Sequence, residues 1–265
     1  MKPRTAFAVL TLLTAALACC SVGAGAMALD PSQIVNALLG RGDSRTLAVL
    51  LELRLPRALT ACAGGAGLAA AGGIMQTLFG NPLAGPDVLG INSGASLGIA
   101  ALLLTAGDFA VVGAFMETLR VMGSAGLVAA ATAGAAAVMF LIQIAAFRVR
   151  RPVTLLVLGM MTGYAVSSAV SIMISMAMPV QTQAFLSWSF GSFSGTQLSS
   201  AGTLAACSVF GIGAAVLLSK GFDALALGEE NARSLGIDVA VLRRCAIASA
   251  SLLAGAVTAF CGPVS

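Results

Sequence analysis

Residues 54–98 read RLPRALTACAGGAGLAAAGGIMQTLFGNPLAGPDVLGINSGASLG. Residues 58–79 within that stretch are apolar or small over a bilayer-crossing length, since a span needs about 20 such residues. Ala61, Gly65, Ala69 and Gly73 recur every fourth residue. That spacing puts four positions with little or no side chain on one helix face, where a second helix can pack at close range. Arg54 and Arg57 precede the run, three apart and therefore expected on one face at its mouth. Pro56 between them suits the first turn of a helix, where no backbone hydrogen bond is lost. After the run, Asn81, Pro82, Gly85, Pro86, Gly90, Gly94 and Gly98 predict a loop that stops the helix and re-enters before the next apolar segment.

The rest of the chain shares this character. Of 265 residues, 58% are hydrophobic and 9% are charged, a balance that belongs to a polytopic membrane protein and not to a soluble domain. The expected fold is all-α, a membrane helix bundle forming one transmembrane domain over 1–265. Seven segments are candidate spans: 6–28, 58–79, 93–106, 121–146, 153–178, 199–219 and 245–261. The third is short, and the apolar residues 109–116 are its candidate extension. With the N-terminus inside, nine Lys and Arg fall in inner segments and five in outer ones, while the acids divide five and five, so a cytoplasmic N-terminus satisfies the positive-inside rule. The first segment, preceded by Lys2 and Arg4, is read as a retained helix because its apolar run is longer than a signal-peptide core. The net charge of +4 gives no case for nucleic-acid binding.

Several patterns resolve to plain packing. Gly94-Ala95-Ser96-Leu97-Gly98 imitates a nucleophile elbow, but the chain has no histidine to act as base. Gly65 to Ala70 imitates a dinucleotide fingerprint yet lies inside a predicted span. No phosphate-cradling P-loop sequence occurs, so any ATP that drives this protein is hydrolysed on another chain. Cys62, Cys207, Cys245 and Cys261 stand singly in or beside apolar spans and read as small buried hydrophobes. Met160, Met161, Met173, Met176 and Met178 crowd the fifth span as packing or as an adaptable pore lining. Trp188 is placed as an interfacial residue. Gln76 and Gln143 are read as interhelical hydrogen-bond partners. No metal or cofactor site is expected, and the near absence of ionisable groups within the spans speaks against a proton relay.

Three segments in order carry a family resemblance. They are RxPR, the small-residue helix, GxxMQ and NPLAxPxxLGxxxGAxxG over 54–98; FLSWSFGSFSGTQ at 185–197; and LALGEENARSLGIDVAVLRR at 225–244. Together they resemble the permease subunit of the iron-siderophore, haem and cobalamin uptake family of ABC importers. The resemblance implies a bundle of about ten helices in two related halves, of which about seven are present here. It also implies partners: a second permease subunit as homo- or heterodimer, a cytoplasmic ATPase dimer, a periplasmic or lipid-anchored substrate-binding protein, and a bacterial inner membrane around them.

Site residues follow from the same resemblance. Arg54 and Arg57 match arginines that receive carboxylates of the binding protein, a role their fork geometry suits; anchoring at the interface or pairing with Glu52 are the plainer alternatives. Residues 220–244 match the cytoplasmic loop that docks on the ATPase, with Gly228, Glu229, Glu230, Ala232, Arg233, Leu235 and Gly236 as its core and Gly228 and Gly236 dividing it into two short helices. The plainer reading there is a solvated loop obeying the charge rule. The inner end of the fifth span, around Pro152 and Val153, matches a gate, with Thr154 the hydroxyl nearby. Members of the family continue past the Gly262-Pro263 position into three further spans, so a fragment, a truncated product and half of a split permease all remain open. A secondary transporter, a channel and a non-transporting remnant are the alternatives from other classes.

Overall fold

A computed structural model describes residues 3–23, 25, 30–39, 43–104, 124–149 and 151–264. Among these residues the chain is helical, with no strand. In chain order the helices are α1 (Pro3–Gly23), α2 (Pro31–Leu38), α3 (Ser44–Ala48), α4 (Leu55–Phe79), α5 (Ile91–Leu104), α6 (Ser124–Arg148), α7 (Pro152–Met176), α8 (Pro179–Ser189), α9 (Leu198–Leu217), α10 (Ser219–Ala226), α11 (Glu229–Ser234) and α12 (Val239–Cys261). A π-helical segment, Val49–Arg54, joins α3 to α4, and a 3-10 turn, Pro86–Leu89, precedes α5. Among the described residues six helical runs are long and apolar enough to cross a membrane, and α5, with 14 residues, is shorter. The expected extension at 109–116, the small-residue end of the first span around 24 and 26–28, and Lys2, Arg41, Arg120, Arg150 and Ser265 lie outside the described residues.

Three expectations about element boundaries are corrected. The second span does not begin at Pro56, because one helical run extends over Ser44–Phe79. Pro56 has no N–H and its ring crowds the carbonyl one turn back; the wider π register just ahead of it, in which Leu55 N bonds Leu50 O, opens that turn and lets the helix pass through. Gly94 and Gly98 lie inside α5, not in a loop. The last helix starts at Val239, six residues before the expected 245, because the Asp238 carboxylate accepts from the amides of Ala240 and Val241 at 2.9 and 3.1 Å and caps it there. Arg243 and Arg244 therefore belong to the helix and the loop closes at Asp238. Two short helices, α2 and α8, were not anticipated; each is preceded by a residue whose amide bonds a Gln three positions on, Asp30 to Gln33 and Met178 to Gln181.

The helices belong to two compact units, 1–63 with 193–205 and 64–192 with 206–265, so that α4 and α9 each contribute to both. In the first unit Thr60 is fully buried, with its hydroxyl 2.7 Å from Pro56 O and 3.0 Å from the Thr196 hydroxyl. In the second, α5 is central, packed by α6, α7, α8 and α12, with Ile91, Ala95, Ile99, Ala100 and Leu102 buried. In lipid the apolar effect does not drive helices together, so close van der Waals contact has to. The α5–α6 pair supplies it: a Cβ on Gly98 would land on Ala130 O, and one on Gly134 would land on Gly94 O. Polar ties complete the unit. Thr258 Oγ1 lies 2.7 Å from Asn92 Oδ1, Ser249 Oγ donates to Gly211 O at 3.0 Å, and Gln143 Nε2 donates to Arg244 O at 3.1 Å. These join α12 to α5, α9 and α6 in turn, and Gln143 makes the interhelical bond expected of it.

Candidate functional site

The two arginines of the RxPR motif point to different places. Arg54 is 7% exposed, and its Nη1 donates to Val22 O at 2.8 Å and Gly23 O at 2.7 Å. These carbonyls end α1 and lack partners within it, so Arg54 is the cap of the first helix. Gly25 lies so close that a Cβ there would stand 3.0 Å from Arg54 Nη2. Arg57 is exposed. Three positions apart, the two side chains nonetheless part company: Arg54 turns back to the end of α1 while Arg57 stays at the surface.

In the second unit, the segment between α9 and α12 folds as expected into two short helices divided by glycine. Gly228 has φ 111° and ψ 150°, a conformation essentially reserved for glycine that costs any other residue about 1–3 kcal/mol. Gly236 ends α11. Ala232 has no exposed surface and packs with Ala224 of α10 and Val239 of α12, and a Cβ on Gly221 would meet Leu242 at 2.8 Å. The loop is thus seated on the first turns of α12. Glu229 holds it there: Oε1 pairs with Arg243 Nη2 at 2.7 Å and Oε2 with Arg233 Nη2 at 3.0 Å. The Arg243 side chain is 7% exposed whereas that of Arg233 is 65% exposed. The exposed i,i+4 pair with Arg233 is worth only about 0.3–0.5 kcal/mol, so the shorter bond to the buried Arg243 guanidinium dominates. Leu227, Glu230 and Leu235 are exposed beside it, the arrangement of a surface that another chain can read. Arg243 escaped assignment from sequence because its partner lies 14 positions away; the only signal was a pair of charges at the start of an apolar run.

The small-residue stripe does not serve packing within the described residues. Gly65, Ala69 and Gly73 are exposed and Ala61 is half-buried, and a Cβ on Gly65 or Gly73 would meet nothing within 4 Å. Close approach occurs instead at Gly94, Gly98 and Gly134. The cysteines also differ from expectation: Cys261 is buried, but Cys62 and Cys245 are exposed on apolar helices. Along α7, Met161, Tyr164, Ser168, Ser171 and Ser175 are exposed at heptad-like spacing. The three serine hydroxyls bond carbonyls of their own helix, which lets a hydroxyl face stand in an apolar setting. Beside that face a cleft of about 240 Å³ is lined by Asp87, Gly90, Ser93, Gly163, Tyr164 and Ser167, with the hydroxyls of Ser93 and Ser167 3.1 Å apart. Among the described residues no group of His, Cys, Asp or Glu is arranged to hold a metal ion.

Residues 12–265 match the model of the FecCD transport family. The chain is 31% identical over 263 residues to the Fe(3+)-citrate import system permease protein YfmE of Bacillus subtilis (strain 168), covering 99% of this chain and 75% of that one. It is 30% identical over 241 residues to the ferric enterobactin transport system permease protein FepD of Escherichia coli (strain K12), covering 91% and 69%. An inward-facing structure of a metal-chelate type ABC transporter superposes with a TM-score of 0.80 at 26% identity, over 99% of this chain and 77% of that one.

Proposed function

The chain belongs to the FecCD transport family, and we propose from that premise that it is the permease through which an ABC importer moves a ferric chelate across the bacterial inner membrane. The observation that carries the reading is the family match over residues 12–265. Haem and corrinoids are the other cargo classes of such importers, and the ferric citrate and ferric enterobactin systems of two relatives favour a ferric chelate. ATP is hydrolysed by a separate ATPase dimer, and the solute arrives on a binding protein.

Topology follows from charge. A cytoplasmic N-terminus puts the 218–238 loop inside and the Arg57 end outside. In this reading Arg57 is the docking residue for the binding protein and Arg54 serves α1, whose last carbonyls it caps. Gly228, Glu229, Glu230, Ala232, Arg233, Leu235 and Gly236 form the piece that rides on the ATPase, exposing Leu227, Glu230 and Leu235 to it while Glu229 ties α11 to α12. The stripe of Ala61, Gly65, Ala69 and Gly73 is left for a helix from a second permease subunit or from elsewhere in the assembly. The hydroxyl and methionine face of α7, with Tyr164, suits a passage for a large solute that is never stripped of its chelator.

The test is uptake into proteoliposomes holding the permease with its ATPase, loaded from outside with the binding protein and a radiolabelled ferric chelate. ATP-dependent accumulation that persists when a protonophore is added is the expected result. Accumulation driven by a pH gradient in vesicles without the ATPase would overturn the assignment.

A further inference from the structure

On the flank of the second unit, α6 and α12 leave a shallow groove of about 470 Å³. Its walls are Met139, Gln143 and Phe147 on α6 and Val241, Cys245 and Ala248 on α12. Both sets step at helical spacing, so the groove runs along the helix axes, about 12 Å from Met139 to Phe147 at 1.5 Å per residue. It opens sideways, since Phe147, Val241, Cys245 and Ala248 are exposed. Gln143 turns its Nε2 to Arg244 O, and that bond also fixes the two helices side by side.

One end of this apolar channel is cationic. The Arg244 guanidinium lies 4.6 Å above the centre of the Phe147 ring, with Nε donating to Ala240 O at 3.2 Å. Exposed Arg148 follows Phe147 directly in the chain. Arg233 and Arg243 are paired with Glu229, and among the described residues Arg244 meets no carboxylate. Asp238, which shares a neighbouring cavity with Phe147, has its Oδ1 committed to the amides of Ala240 and Val241.

We propose that this groove is a binding site for an anionic phospholipid of the inner leaflet, one acyl chain lying between α6 and α12 and the headgroup phosphate resting on Arg244 and Arg148. The chemistry matches at both ends: a narrow apolar trough parallel to the helices takes an acyl chain, and two guanidiniums at the cytoplasmic end of the spans take a phosphate. Each cation is expected to favour an anionic over a zwitterionic lipid about fivefold. The site rests on the membrane topology proposed above, but its test needs neither transport nor ATP hydrolysis, so the two can fail separately.

The assembled transporter is placed in nanodiscs with phosphatidylglycerol or phosphatidylcholine bearing a photoreactive diazirine in the middle of one acyl chain, and adducts are mapped by mass spectrometry. Adducts should fall on peptides spanning 139–147 and 241–248, at least about tenfold more from phosphatidylglycerol. Arg244→Gln should cut that preference about fivefold and leave labelling intact. Ala248→Phe, which fills the trough, should abolish labelling in protein that still elutes as assembled transporter. As a second readout that needs no variant, maleimide modification of Cys245 in delipidated protein should slow when phosphatidylglycerol is added back and not when phosphatidylcholine is. Equal labelling by both lipids with no effect of Arg244→Gln would mean ordinary annular lipid and overturn the site. Absence of adducts, with Cys245 unreactive whatever the lipid, would mean that protein covers the groove and would overturn it equally.

Discussion

Removing the Arg54 guanidinium leaves the last carbonyls of α1 without their donor, and hydrogen bonds to a charged group contribute about 1.5–3 kcal/mol. Arg54→Gln is therefore expected to lower the thermal midpoint of the purified protein and to free α1 to proteolysis, while binding-protein affinity changes little. Arg57→Glu is expected to do the reverse. Affinity measured by surface-immobilised transporter should fall at least about tenfold, or about 1.4 kcal/mol, with the thermal midpoint unchanged; equal affinity for wild type and Arg57→Glu would remove docking from this residue. Gly98→Val tests the α5–α6 contact. Its side chain would meet the Ala130 carbonyl, overpacking of this kind costs about 1–3 kcal/mol, and the yield of monodisperse protein should drop, whereas Gly65→Val on the exposed stripe should be tolerated by the isolated chain. The identity of these residues was legible in the sequence and their roles were not. Both glycine sets have helical spacing, and spacing alone does not say which face meets a neighbour; the two arginines separate because Arg54 finds its acceptors at Val22 and Gly23, 32 and 31 positions away in the chain.

At the scale of the element, the α10–α11 loop was the best-read part of the chain. Gly228 and Gly236 mark its turns, and the acidic start and basic end of α11 agree with a helix dipole. What the pattern could not reveal is the tie to α12. In the proposed importer a displacement of α11 reaches the membrane helices through the bond between Glu229 and Arg243, and Glu229→Gln is expected to leave ATP hydrolysis running while the amount of chelate moved per ATP falls severalfold. Arg233→Gln, at the exposed partner, should leave that ratio within about twofold. The double exchange Glu229→Arg with Arg243→Glu should restore part of the loss, which a merely destabilised loop would not do. Unchanged chelate-per-ATP in Glu229→Gln would remove the bond from the coupling path. The two unanticipated helices, α2 and α8, are short and polar at their starts, and hydrophobic periodicity over 8 and 11 residues is too brief to register against the long apolar runs around them.

At the scale of the whole molecule, apolar length alone gave the all-α class and, among the described residues, the six helices long and apolar enough to cross a membrane, because a segment that must satisfy its backbone within lipid has little choice but a helix. The third of the seven expected spans, α5, has 14 residues and falls short of that length. Charge placement supports the orientation, and reporter fusions in the 218–238 loop should give a cytoplasmic signal; an external signal there would reverse the proposed sides of both Arg57 and α11. The chain also holds one device whose effect is out of proportion to its size. A π segment is an α-helix carrying a surplus residue, and each residue turns the helix by about 100° at 3.6 per turn. Deleting any one of residues 49–53 would return that stretch to ordinary α phase and swing everything before the cut around the axis by that angle. Arg54 would keep its place ahead of α4 while Ser44–Ala48 rotated away from it. A single codon thus sets the azimuth between Ser44–Ala48 and the start of α4, and insertions or deletions here should be tolerated only in numbers that restore the phase.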